Sequence, residues 1–202
     1  MQARPGPTAT ANARALVTIK PWPHRDREVI ADMDIFRIHR VLSRSPRTGA
    51  DRHFTLLETS DWINVVALTP EDDVVLVEQF RHGTGEVTLE IPGGLVDPGE
   101  EPDAAARREL REETGYEGDP PILLGTVTPN PAFLNNRCHT FLIQNCRAVG
   151  EPELDHGEDI AVSLHPLAGV GRLIAGGSIQ HALVICAFWW LAQRMPERFR
   201  ME

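Results

Sequence analysis

The sequence is poor in cysteine: Cys138, Cys146 and Cys186 are the only three in 202 residues. An odd, sparse set without metal-like spacing excludes a disulfide scaffold and points to buried thiols in a reducing compartment. Long hydrophobic runs are also missing. The longest, Ala182 to Ala192, has 11 residues, against about 20 needed to cross a bilayer, so no membrane partner is expected. Met1 to Leu16 has no apolar core of the secretion-signal kind, and a cytoplasmic protein is expected. Positive charge is scarce as well. Twenty Lys and Arg stand against 29 Asp and Glu, a net charge of −9. A general nucleic-acid binder needs a basic surface to displace counterions from phosphates, so nucleic acid is not an expected partner. A small phosphate-bearing substrate stays open, because metal ions can carry the positive charge.

The apolar fraction of 42% and charged fraction of 24% are those of a globular protein. The length suits one domain with an elaboration, enough for a substantial core. Residues 1–28 read as a tail, with Pro5, Pro7, Pro21 and Pro23 and at most a short strand at Val17–Thr18–Ile19. From Val29 to about residue 60 the pattern is of period two, a β-rich extension with a turn at Ser45–Gly49 and a returning strand at His53–Glu58. The main domain spans 61–195. Strands are predicted at Trp62–Leu68, Asp73–Phe80, Glu86–Ile91, Ile122–Val127, His139–Ile143 and Ile160–Leu164. Helices are predicted at Asp103–Thr114, Pro166–Ala175 and Ile179–Gln193. The first has Pro102 before it and Gly115 as its stop. The last is apolar nearly all round, hence buried or at an interface. The mixture predicts an α/β fold, a mixed sheet with helices packed on it.

Chemistry concentrates between Gly94 and Tyr116. At 100° per residue, Glu109, Glu112 and Glu113 fall on one arc of the predicted helix, where they repel one another at i,i+3 and i,i+4 spacing. Arginines can offset that charge, and Arg107, Arg108 and Arg111 are at hand; a solvated charged face is then the bland explanation. A divalent cation can offset it too, and oxygen-only ligands favour hard ions such as Mg²⁺ or Mn²⁺. The lead-in Pro92–Gly93–Gly94 lets the backbone approach a ligand closely.

The spacing Gly94, Glu100, Arg108–Glu109, Glu112–Glu113, Gly115 resembles the Nudix box, the signature of hydrolases that cleave a nucleoside diphosphate linked to another group. Tyr116 stands where that motif has an aliphatic residue, and an aromatic can fill the same slot. The resemblance implies an α/β/α sandwich on a mixed sheet, with the box as loop, helix and loop. It implies Glu109 and Glu113 as principal ligands of Mg²⁺ (or Mn²⁺), with Glu112 and the Gly93 carbonyl contributing. Glu100 and Arg108 would form a supporting ion pair.

The surroundings resemble the ADP-ribose pyrophosphatase branch of that family. Val77–Glu78–Gln79–Phe80–Arg81 looks like its strand before the active site, which implies Arg81 as a contact to substrate phosphates. Leu89–Glu90–Ile91–Pro92–Gly93–Gly94 looks like its run into the box, with Gly93 in place of an alanine. Pro131 matches a substrate-contacting proline, although Pro129 to Asn136 departs from the usual form. The acidic stretch Glu151–Glu158 resembles the branch's catalytic loop, which implies Glu158 as a catalytic or metal-binding carboxylate beside Glu112. Glu153, Asp155 and His156 compete within the loop, and a lone His82 after Arg81 is a weaker candidate.

The function expected is metal-dependent hydrolysis of ADP-ribose or a related nucleoside diphosphate sugar to a nucleoside monophosphate and a sugar phosphate. A homodimer with exchanged N-terminal strands is implied. Trp22, Phe36 or Phe54 can stack on a base, with core packing expected of each phenylalanine. The alternatives are a non-catalytic nucleotide-sugar sensor, disfavoured by the intact box, and a hydrolase of another nucleotide such as an oxidised triphosphate or a dinucleotide.

Overall fold

The computed structural model describes residues 18–201. The chain opens with β1 (His24–Asp32), β2 (Arg37–Arg44) and β3 (Asp51–Glu58), an antiparallel sheet in that order. The sequence pattern starts the first strand at Val29; the structure starts it at His24. Eight of its nine residues are exposed, so no apolar alternation marks it. Pairing defines it instead, with Glu28 opposite Arg40 and their side chains 2.6 Å apart. Of the short strand expected at 17–19, Val17 lies outside the described residues, as does most of the expected tail, and Thr18 and Ile19 belong to no strand. Trp22 and Phe54 meet edge-on at 5.5 Å on the surface of this sheet. Phe54, 43% exposed, is therefore not the core residue expected of it.

Two further sheets form the body. One has the order β4 (Trp62–Ala67), β9 (Cys138–Ile143), β8 (Ile122–Val127), with β4 parallel to β9. The other has the order β11 (Ile160–Pro166), β5 (Asp73–Arg81), β6 (Glu86–Glu90), all antiparallel. The glycine-rich segment after β6 is laid along β4. Val65 donates to the Pro92 carbonyl at 2.8 Å and Ile63 to the Gly94 carbonyl at 2.9 Å.

Side chains of β4 alternate between two cores, as the pleat requires. Ile63, Val65 and Ala67 pack with Ala105, Ala106 and Leu110 of α1 (Pro102–Thr114). Val66 and Leu68 pack with Val184, Ala187, Phe188 and Leu191 of α3 (Ala182–Arg194). A helix covers each face, which gives the α/β/α sandwich and explains why Val65–Leu68 reads as a continuous apolar run. Cys138 and Cys146 are buried here, and burial pushes both thiols up to about 12. Among the described residues no helix is long and apolar enough to cross a membrane.

Helix ends differ from the sequence pattern for local reasons. His181 is extended (ψ 119°), so α3 begins at Ala182 and Ile179 is a separate buried anchor. Pro166 is extended and ends β11; a 3₁₀ turn at Leu167–Gly169 and the short α2 (Val170–Ala175) follow. A two-residue ladder joins β7 (Tyr116–Glu117) to β10 (Arg147–Ala148), too short for periodicity to show. It fastens the acidic loop to the end of α1, where Gly115 is left-handed (φ 72°) and a Cβ would lie 2.2 Å from the Gly150 carbonyl. Gly115→Ala is therefore expected to cost about 2 kcal/mol or more, from strain and collision together. A lowered urea midpoint at unchanged slope is the check.

Candidate active site

The three glutamates of α1 have different surroundings. Glu113 is 3% exposed and accepts the Gly93 N–H at 3.0 Å. Glu109 is mostly buried and lies against Gly94, where a Cβ would be 2.2 Å from Oε1. A side chain at this position would have to displace the Glu109 carboxylate. Glu112 is on the rim, its backbone carbonyl accepting the Glu153 N–H at 2.7 Å.

Arg108 ties the site together. Its Nε and Nη2 donate to Glu100 at 3.0 and 2.9 Å, its Nη1 to Glu109 at 2.8 Å and Glu112 at 3.0 Å, and Nη2 also reaches the Leu95 carbonyl. This fork holds Glu100 below the usual carboxylate range and fastens the 95–100 loop to the helix. Burial pushes Glu113 up to about 8; repulsion from Glu109 and Glu158 adds to this and the Gly93 N–H opposes it. Burial also raises Glu109, against Arg108. Glu158 reaches this group by its charge from an exposed loop that curls on itself, its Oε2 accepting the Asp155 N–H at 3.1 Å. The structure thus brings Glu109 and Glu113 together behind Gly93–Gly94, while Glu158 stays on its exposed loop. Glu153 instead pairs with Arg111 at 3.3 Å.

Arg81 is clamped rather than free. Nε and Nη2 donate to Glu90 at 2.8 and 2.9 Å. Glu90 also accepts Thr88 Oγ1 at 2.6 Å and lies 2.6 Å from His181 Nδ1. Burial alone would raise Glu90, but bonds from Arg81, His181 and Thr88 hold it far below the usual range. This cluster lies on the wall of a cavity of about 620 Å³ that runs from Gly93 and Gly94 to the start of α3. Sequence reasoning missed His181 and Asn64, which also line it: a single histidine ahead of an apolar helix and a polar residue inside an apolar strand carry no spacing signal. Pro131 is exposed on a turn tied to β3 through Leu57 N–H to the Phe133 carbonyl (2.7 Å) and does not line the cavity. His82 is exposed and edge-on to Phe80.

Among the described residues no three acidic, histidine or cysteine side chains form a ready metal cage; Arg108 takes up Glu109 and Glu112. The donor set is nonetheless all oxygen, which suits a hard cation. Glu113 is raised by its burial first, with repulsion from Glu109 and Glu158 adding to it. In metal-free protein that carboxyl keeps its proton to about pH 8, against 4.5 for an ordinary glutamate. The folded state then binds more protons than the unfolded one between these values. Stability should fall as pH rises through this window and level off above it, while the stabilisation by Mg²⁺ should grow with pH. Thermal melts from pH 5 to 9, with chelator and with Mg²⁺, are the check.

The fold and this acidic helix agree with what comparison with known proteins finds. A family model of the NUDIX domain matches residues 61–188, and the chain belongs to this family. It is 31% identical over 153 residues to an ADP-ribose pyrophosphatase of Mycobacterium tuberculosis, covering 75% of this chain and 73% of that one. An ADP-ribose pyrophosphatase of Bacillus subtilis is 32% identical over 130 residues, covering 64% and 70%. A crystal structure of an ADP compounds hydrolase shares the fold, with a TM-score of 0.80 at 21% identity over 90% of this chain and 97% of that one.

Proposed function

We propose that the protein is a metal-dependent hydrolase that splits the diphosphate of ADP-ribose or a related nucleoside diphosphate sugar into a nucleoside monophosphate and a sugar phosphate. One observation carries this reading: Glu109 and Glu113 are buried directly behind Gly93–Gly94, and those glycines stand at the end of a cavity large enough for a nucleotide arm. The relatives named ADP-ribose pyrophosphatase support the substrate class.

Glu109 and Glu113 would hold Mg²⁺ (or Mn²⁺), with Glu112 from the rim and the Gly93 carbonyl. The bound ion would polarise phosphoryl oxygens and lower the pKa of water. The chain does the rest. Gly93 and Gly94 let β4 and the Glu109 carboxylate pack directly against the backbone at the cavity's end. Arg81, with two of its nitrogens engaged by Glu90, offers Nη1 to a phosphoryl oxygen, where charge builds as the bond breaks. Glu112 and Glu158 would take the proton of the attacking water. Glu100 and Arg108 keep the helix and its lead-in in register. A substrate contact by Pro131 rests on resemblance alone.

The working unit is a homodimer in which the 29–60 extension exchanges between subunits around the 61–195 domain. The exposed Val29, Ile30, Met33 and Ile35 support this, and light scattering tests it. The reaction is tested by a panel of nucleoside diphosphate sugars with Mg²⁺, following phosphomonoester release. Turnover of ADP-ribose is expected; no turnover of any member overturns the reading.

A further inference from the structure

His181 has no part in the hydrolysis described above, yet its ring is held in a fixed orientation at the cavity wall. It precedes α3 in an extended conformation and makes no side-chain cap on that helix. The ring turns instead to Glu90, with Nδ1 2.6 Å from Oε2. Glu90 is buried and takes two nitrogens of the Arg81 fork. A carboxylate paired in this way is ionised and can only accept, so Nδ1 carries the proton of the contact. The single negative charge of Glu90 is met by Arg81, and a neutral imidazole completes a balanced cluster. Its Nε2 is then left with a lone pair and no hydrogen.

That lone pair is open. Nε2 is neither buried nor partnered among the described residues, and the side chain, 36% exposed, lines the cavity. Other polar side chains of the lining are spent on the protein itself: Thr88 on Glu90, Gln180 on the Gly177 carbonyl and Thr84 on the Arg81 carbonyl. The cavity therefore offers a ligand one fixed, uncharged acceptor. An ionised phosphoryl oxygen has only lone pairs and cannot use it, whereas a hydroxyl can. We propose that His181 is a specificity-determining residue, whose Nε2 accepts a sugar hydroxyl of the diphosphate substrate while Glu90 holds Nδ1–H and fixes the ring. The assignment rests on the hydrolase reading above and deepens it.

Calorimetry on chelator-treated protein tests it without turnover. In His181→Asn the amide can still donate to Glu90, but Nε2 is gone. This variant should keep the wild-type melting temperature and bind ADP-ribose about tenfold more weakly, the effect of one lost hydrogen bond. His181→Phe, which loses both contacts, should also melt lower. AMP and ribose 5-phosphate, titrated separately, show which half supplies the hydroxyl: its own affinity falls in His181→Asn. Nitrogen-15 spectra at alkaline pH should place the ring proton on Nδ1, with an Nε2 resonance that moves when ADP-ribose binds. Wild-type affinity for ADP-ribose in His181→Asn, a proton on Nε2, or an equal fall for pyrophosphate, which has no sugar, overturns the proposal. So does a melting temperature in His181→Asn as low as in His181→Phe, which marks a structural role. Wild-type protein that binds ADP-ribose but hydrolyses no nucleoside diphosphate sugar overturns the hydrolase reading alone; protein that binds none of these ligands overturns both.

Discussion

Glu113→Gln should lower Mg²⁺-dependent turnover of ADP-ribose by about 10³-fold or more and at the same time make the metal-free protein more stable at pH 8. The two effects have one cause. Glu113 is 3% exposed beside Glu109 and within the influence of Glu158, so its charge is costly to bury. Glutamine keeps an oxygen for the Gly93 N–H and removes that cost, but gives up the anionic ligand. Glu109→Gln should lose turnover similarly and gain less stability, because Arg108 already compensates Glu109. Steady-state rates and thermal melts on variants with wild-type circular dichroism are the measurements. Full turnover in either variant shows that the site has been misassigned.

The second large effect concerns Arg81. Arg81→Ala leaves Glu90, 3% exposed at its side chain, with only Thr88 and His181. Stranding a buried carboxylate costs about 3–5 kcal/mol. Arg81 is 43% exposed, and water can reach its place, so about 2–3 kcal/mol is expected after allowing for screening. That is a fall in melting temperature of roughly 5–10 °C for a chain of this size. Turnover should fall about 10²-fold as well. The double variant Arg81→Ala/Glu90→Gln separates the two: stability should return and turnover should not. A wild-type melting temperature in Arg81→Ala would show that the clamp contributes little.

Helix α1 was legible because its signals are local. Pro102 and Gly115 bound it, and three glutamates at i,i+3 and i,i+4 put their charges on one arc. The strands of the body were legible because both faces of β4 and β5 are buried. Other features depend on distant partners. β1 is held by pairing and shows no alternation. The β7–β10 ladder is two residues long. The burial of Glu113 depends on Gly93, which its carboxylate meets from about 20 positions of chain away. Arg81 looked like a free phosphate ligand because nothing adjacent in sequence announces that Glu90 holds it, or that His181, 91 positions further on, completes the clamp. Residue identity was readable; residue company was not.

The stretch carrying Glu158 is pegged at both ends, by the Glu153 N–H on the Glu112 carbonyl and by Ile160 paired with Gln79. With four residues between the first peg and Glu158, and so five steps of chain, its reach is limited to about 17 Å of fully extended chain. Its travel is that of a short leash around a fixed post: the carboxylate can sweep over the helix, but it cannot drift from it. Lengthening or trimming 154–157 would change the length of that leash while leaving the post untouched.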